Sequence, residues 1–273
     1  MDFVDRLRKL PEVSAAGSCS FAQLLSHMTD AQIERARSLC PSCISAVFAL
    51  FPYYGGQTEG NLSLYARGQD YHQVLLQTLS RFLAEMVPFY PEHIFVPLAD
   101  ASPLPEVWGA YRSGCGILGK NGLIFDRTYG SYVFIGCILT DLPLPEGTGQ
   151  ETCPGCGACL RACPTGTLSG QGSCLSDLTQ TGGEVTPEAA QALQDAPLIW
   201  GCDVCSLVCP LNRNAPLSPN PAFTQNCIHS LGTKDLEGLT RKEFLRKYPD
   251  RAFTWKGPAP LRRNLELKNK EKK

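Results

Sequence analysis

The chain has 273 residues, 43% of them hydrophobic, 14 cysteines and a formal net charge of −1 at pH 7. That length supports a sizeable core together with a second, smaller unit. No apolar run approaches the roughly 18 residues of a membrane-spanning helix, and the N-terminus MDFVDRLRKL has no secretory apolar stretch. A soluble, cytoplasmic protein with reduced thiols is therefore expected.

In chain order, Ile44 to Phe51 has the length and apolarity of a buried strand and ends at Pro52 and Gly55-Gly56. His72 to Met86 places Val74, Leu75, Leu79, Phe82, Leu83 and Met86 at helical spacing. Ile94 to Pro97 reads as a strand and Glu106 to Arg112 as a helix start. Leu123 to Phe125 and Tyr132 to Leu139 read as two strands around a Gly130-Ser131 turn. Pro143, Pro145, Gly147 and Gly149 form a linker, after which the cysteines concentrate. The chain closes with loops, a short helix near Leu239 to Arg246 and a basic tail. Residues 241 to 273 hold 12 Lys/Arg against 4 Asp/Glu, which is +8, so the preceding residues carry −9. Such a tail either meets phosphates or is a solvated end.

The cysteine spacing is the most specific signal. Cys153, Cys156, Cys159 and Cys163, followed by Pro164, spell C-x2-C-x2-C-x3-C-P; Cys202, Cys205 and Cys209, followed by Pro210, spell C-x2-C-x3-C-P. Runs of this kind hold 4Fe-4S clusters, with the last cysteine of a run ligating the other cluster. Two clusters need eight thiolates, the runs supply seven, and Cys174 is the one further cysteine between them. The expected sets are Cys153, Cys156, Cys159 and Cys209 for one cluster, and Cys163, Cys174, Cys202 and Cys205 for the other. Structural zinc closes with four ligands and has no use for three consecutive steps ending in Cys-Pro. Disulfides would need an oxidising compartment.

Other motifs carry less. Gly114 to Gly119 satisfies G-x-G-x-x-G and nearly continues into a P-loop, but it follows a helical stretch where either motif needs a strand. Its glycines are better read as close backbone passage. Cys40 and Cys43 form an isolated C-x2-C, read as core thiols, and Cys19, Cys115, Cys137 and Cys227 as free thiols. His72, following Asp70-Tyr71 at a helix start, reads as a capping or surface residue rather than an axial metal ligand.

Six motifs in joint order carry a family resemblance. They are Tyr65-Ala-Arg-Gly-Gln-Asp-Tyr-His72, Asp100-Ala-Ser-Pro103 with Glu106, Gly116-Ile-Leu-Gly-Lys-Asn-Gly122, Gly130-Ser131, Leu139-Thr-Asp-Leu-Pro-Leu-Pro145, and the cysteine runs with Gly201-Cys-Asp203 and Cys209-Pro-Leu-Asn-Arg213. From about residue 45 to residue 265 the chain resembles the epoxyqueuosine reductases. The resemblance implies two 4Fe-4S clusters and a cobalamin, acting together to remove the epoxide oxygen of epoxyqueuosine in tRNA. It makes Asp100 the general acid that protonates the departing oxygen, with its pKa expected to be raised by the apolar corrin face. It places cobalamin contacts at Lys120, Asn121, Ser131, Ser176 and Asp203. Cys174-Leu-Ser-Asp177-Leu-Thr-Gln-Thr181 stands where the family carries C-I-S-Y-L-T-I-E, and the chain is expected to be a short form lacking the C-terminal helical-repeat extension.

The expected architecture is α+β: a mixed α/β cobalamin-binding domain over residues 1–147, a ferredoxin-like double-cluster domain over 148–215, and a C-terminal segment with the basic tail over 216–273. The expected partners are tRNA, through that tail, and a soluble low-potential electron donor, with no membrane and a monomeric state. Two other readings compete: a corrinoid iron–sulfur reductase of a small molecule, and a ferredoxin-type electron carrier with no chemistry of its own.

Overall fold

The computed structural model describes residues 2–149 and 151–269. Its centre is a sheet of four antiparallel strands in the order β1-β2-β6-β3, where β1 is Ala15–Ser20, β2 is Ser45–Pro52, β3 is Phe95–Ala99 and β6 is Val133–Thr140. A separate two-stranded ribbon joins β4, Ile117–Leu118, to β5, Ile124–Phe125.

All eight residues of β2 are buried, because both faces of this strand are covered. Alternation then sorts its side chains: Val47, Ala49 and Phe51 enter one core and Ala46, Phe48 and Leu50 the other. The first core is closed by the helix Tyr71–Met86 through Leu75, Leu79, Phe82, Leu83 and Met86. Each such side chain contributes roughly 1.5–3 kcal/mol on burial. The second core is closed by the helix Glu106–Arg112. A Cβ on Gly109 would lie 2.0 Å from the Phe48 ring, so only glycine lets that helix sit so close to the sheet. Cys19, Cys40, Cys115 and Cys137 are all buried in this second core.

A third core holds the end of the chain in place. Phe244, Tyr248, Phe253 and Leu261 pack on Leu62, Ala66, Ile199 and Trp200, beside a parallel bridge between Leu62 and Trp200. The expected basic tail is instead a helix, Ala259–Asn269, as far as the chain is described. Asn264 Nδ2 donates to the carbonyls of Thr179 and Ile199, each at 2.8 Å. Arg263 donates to the carbonyls of Thr181 and Leu178, and Arg262 to those of Leu236 and Leu239. Two of the tail's twelve cations, Arg262 and Arg263, thus bond internal carbonyls. Residues 270–273 of the tail lie outside the described residues.

Candidate active site and cluster ligands

The cysteine runs are short turns and helices whose thiols gather around two cavities. Cys153, Cys156, Cys159 and Cys209 line one cavity together with Lys120, Asn121, Pro210 and Leu211. Cys163, Cys174, Cys202 and Cys205 line a second, of about 310 Å³, with Tyr53, Tyr65, Leu123, Val133, Phe134 and again Asn121. Among the described residues no three His, Cys, Asp or Glu side chains converge on one metal ion. A cubane binds each of its thiolates through a different iron, so its ligands ring a cavity rather than meet at a point. Amide groups also face the sulfurs. The backbone N–H of Lys120 donates to Cys153 Sγ at 3.3 Å. Burial pushes the Cys163 thiol up, but the N–H groups of Leu168 and Thr165 outweigh it and hold the thiol below its ordinary value. Cys202 has less such help, and burial pushes it up to about 11.

The residues expected around cobalamin divide by position. Asn121, Ser131, Ser176 and Asp203 line the second cavity, whereas Lys120 lines the first. Ser131 Oγ donates to Ser206 and accepts from Asn212 Nδ2, and both Asp203 oxygens are occupied, by Ser63 Oγ at 2.5 Å and the Leu64 N–H at 2.9 Å. Those two side chains brace the loops. Asn121 differs: its Nδ2 is buried without a hydrogen-bond partner. An orphaned amide beside apolar walls fits a large, flat, mostly apolar cofactor with polar edges, as cobalamin is.

Tyr65 separates this second cavity from a third, of about 350 Å³, lined by Tyr65, Tyr71, His72, Asp100, Ala101, Gln180, Ala252 and Trp255. Asp100 sits just beyond β3 with φ of +50°, followed by Ala101 at +33°. Two consecutive non-glycine residues in left-handed backbone cost about 1–3 kcal/mol each, which marks a loop held for a purpose. Asp70 caps the helix Tyr71–Met86 by accepting from the His72 N–H, and its Oδ1 also meets His72 Nδ1 at 2.6 Å. The other ring nitrogen, Nε2, meets Asp100 Oδ2 at 3.0 Å, and the Tyr71 hydroxyl donates to the same oxygen. The Ala101 N–H donates to Oδ1 at 2.8 Å.

Carboxylates accept, so a ring between two of them donates from both nitrogens and is cationic. Burial alone would lower the His72 pKa, but the bonds to Asp100 and Asp70 raise it to about 9. The same contacts hold Asp100 well below the usual carboxylate range: the His72 hydrogen bond lowers it most, and Tyr71 and Ala101 add to it against burial. The rise expected for Asp100 rests on a bound corrin face; the chain's own donors, His72, Tyr71 and the Ala101 N–H, act in the opposite direction. His72, read from sequence as a cap or surface residue, belongs to the site, and so do Tyr71 and Gln180. Gln180 Oε1 accepts from Trp255 Nε1 at 3.2 Å. Tyr71 and His72 stand in the sequence within the first family motif, with nothing in that motif to place them against a loop 28 residues beyond His72.

An α+β domain joined to paired thiol cavities defines a double-cluster iron–sulfur protein. Residues 152–212 match the family described as a 4Fe-4S double cluster binding domain, and residues 34–96 match Epoxyqueuosine reductase QueG, DUF1730. The chain is 34% identical to the epoxyqueuosine reductase of Vibrio cholerae over 251 residues, covering 85% of this chain and 67% of that protein. It is 33% identical to that of Lactococcus garvieae, covering 76% and 60%. A crystal structure of epoxyqueuosine reductase with an epoxyqueuosine-modified tRNA-Tyr stem loop superposes with a TM-score of 0.82 at 26% identity, covering 97% of this chain and 80% of that one. The chain belongs to the epoxyqueuosine reductase family, carries that family's double 4Fe-4S domain, and spans about 60% of the length of curated relatives such as the Lactococcus garvieae protein.

Proposed function

We propose that this chain is an oxidoreductase that converts epoxyqueuosine to queuosine in tRNA, with Asp100 at the substrate and cobalamin between Asp100 and the second cluster. The observation that carries the reading is the sequence of cavities. Asn121 is common to the two thiol-lined cavities, and Tyr65 is common to the second of these and the Asp100 cavity. Electrons entering at either cluster would thus pass from cavity to cavity towards Asp100, beside which His72 holds a proton. The eight cysteines are the proposed ligands, in the sets that line each cavity. Asn121 would hold the cofactor's polar edge, and Leu123, Val133 and Phe134 its apolar face. Bound cobalamin would supply the two-electron reduction.

The chain's own residues supply the protons. Removing an epoxide oxygen as water takes two electrons and two protons while both carbon–oxygen bonds break. Asp100 rests as a carboxylate and cannot donate by itself. His72 Nε2 passes one proton through Asp100 Oδ2 to the departing oxygen, and after His72 takes up a second proton from solvent the same relay delivers it to complete the water; Asp70 keeps the ring aligned throughout. Tyr71 fixes the same carboxylate oxygen from the other side.

The test uses anaerobically purified chain, reconstituted with iron and sulfide, supplied with cobalamin and an epoxyqueuosine-bearing tRNA stem loop. Mass spectrometry of the nucleoside should show loss of one oxygen, and Asp100→Asn should slow this by about 100-fold or more while iron and cobalamin contents stay level. A loaded chain that binds cobalamin but leaves the nucleoside unchanged would overturn the reading in favour of a small-molecule substrate.

A further inference from the structure

Two cations flank the most exposed thiol of the first cavity. Cys156 is exposed and lies between Gly155 and Gly157, at φ of +71° and +73°. A Cβ on Gly155 would lie 3.6 Å from Lys120 Nζ, and a Cβ on Gly157 would lie 2.9 Å from Arg161 Nη1. The absent side chains leave the space these cations fill. Arg161 Nη1 also donates to the Cys156 carbonyl at 3.1 Å. Neither Lys120 nor Arg161 makes an ion pair among the described residues. The second cavity also has an exposed thiol, Cys174, but its sequence neighbours are Gly170-Gln171-Gly172-Ser173 and Leu175-Ser176-Asp177, with no cation. The first cavity's exposed thiol is thus flanked by cations brought there both by its own run, Arg161, and from a distant loop, Lys120.

We propose that the surface around Cys156 is the docking site for a small, acidic, one-electron carrier protein, steered by Lys120 and Arg161. This rests on the cluster reading above. In each encounter the carrier is oxidised by one electron and the first cluster is reduced by one. Opposite charges at the contact raise association rates, and salt screens them.

The experiment is stopped-flow reduction of the reconstituted chain by a reduced plant-type [2Fe–2S] ferredoxin, an acidic probe, followed by cluster absorbance. For the unaltered chain the second-order rate should fall about tenfold or more as salt rises from low to high concentration. Arg161→Glu should slow it about tenfold at low salt, and Arg161→Lys, which keeps the charge, should stay within about threefold of the parent. Iron content and reduction by dithionite should be unchanged in both. A rate insensitive to salt in the unaltered chain would overturn the proposal, as would equal slowing in the Glu and Lys variants, which would assign Arg161 to the Cys156 carbonyl alone. Failure of the unaltered chain to take up iron would instead overturn the cluster reading.

Discussion

His72 owes its charge to two carboxylates that reach it from different directions, Asp70 from its own helix turn and Asp100 from the loop after β3. Because its folded pKa is raised to about 9, the folded chain keeps a proton that the unfolded chain releases near 6.5. The stability from this pair is complete below about pH 6.5 and is lost as pH rises towards 9. Urea midpoints measured across that window should decline for the parent, and His72→Gln should remove that segment of the slope. Single-turnover reduction by the same variant should fall about 10- to 100-fold and lose its alkaline limb, which a merely structural residue would not cause. Glu106 behaves in parallel one window lower. Burial raises it to about 7, with Asp100 adding to the rise, and Oε1 has no partner. Its cost grows as pH rises from about 4.5 to 7, so Glu106→Gln should flatten the stability profile there and raise stability at pH 8. Asp100 was reached from the sequence only through a resemblance, since D-x-x-P alone is an ordinary turn. The charge on His72 was illegible because it depends on a contact across 28 residues.

Secondary elements were legible where burial is uniform or strictly periodic. The eight buried residues of β2 and the apolar stripe of Tyr71–Met86 are plain in the sequence, and so is the β6 run. Strand β1, Ala15–Ser20, has only small residues, AAGSCS, and exists because β2 offers it an edge. The helix Ala259–Asn269 was hidden differently: basic and weakly amphipathic, it reads as a solvated end. Its anchor is only partly apolar, through Leu261 and Leu265 in the third core; the rest is polar, through Asn264 and the two arginines, and no hydrophobic pattern reports that part. Asn264 is fully buried and satisfies two carbonyls. Asn264→Ala leaves both unpaired and should cost about 1–3 kcal/mol in urea unfolding each, with cluster content at low denaturant unchanged. Loss of iron at full stability would instead make Asn264 part of the cluster surroundings.

At the scale of the whole molecule the three cavities form a series, with Asn121 and Tyr65 as their shared walls. A series fails at its middle member while its first stays intact. Cys174 is the ligand that spacing alone left to elimination, and it lines the second cavity with Cys163, Cys202 and Cys205. Cys40 is the control, because it is buried in the sheet core and lines neither thiol cavity. Reconstituted parent should hold about eight irons per chain, Cys174→Ser about four to seven, and Cys40→Ser the full eight. Dithionite should still reduce the cluster remaining in Cys174→Ser, seen by its electron paramagnetic resonance, while substrate reduction stops because the relay next to Tyr65 is missing. Full iron in the Cys174 variant together with iron loss in the Cys40 variant would reassign the eighth ligand and break the proposed order of electron flow.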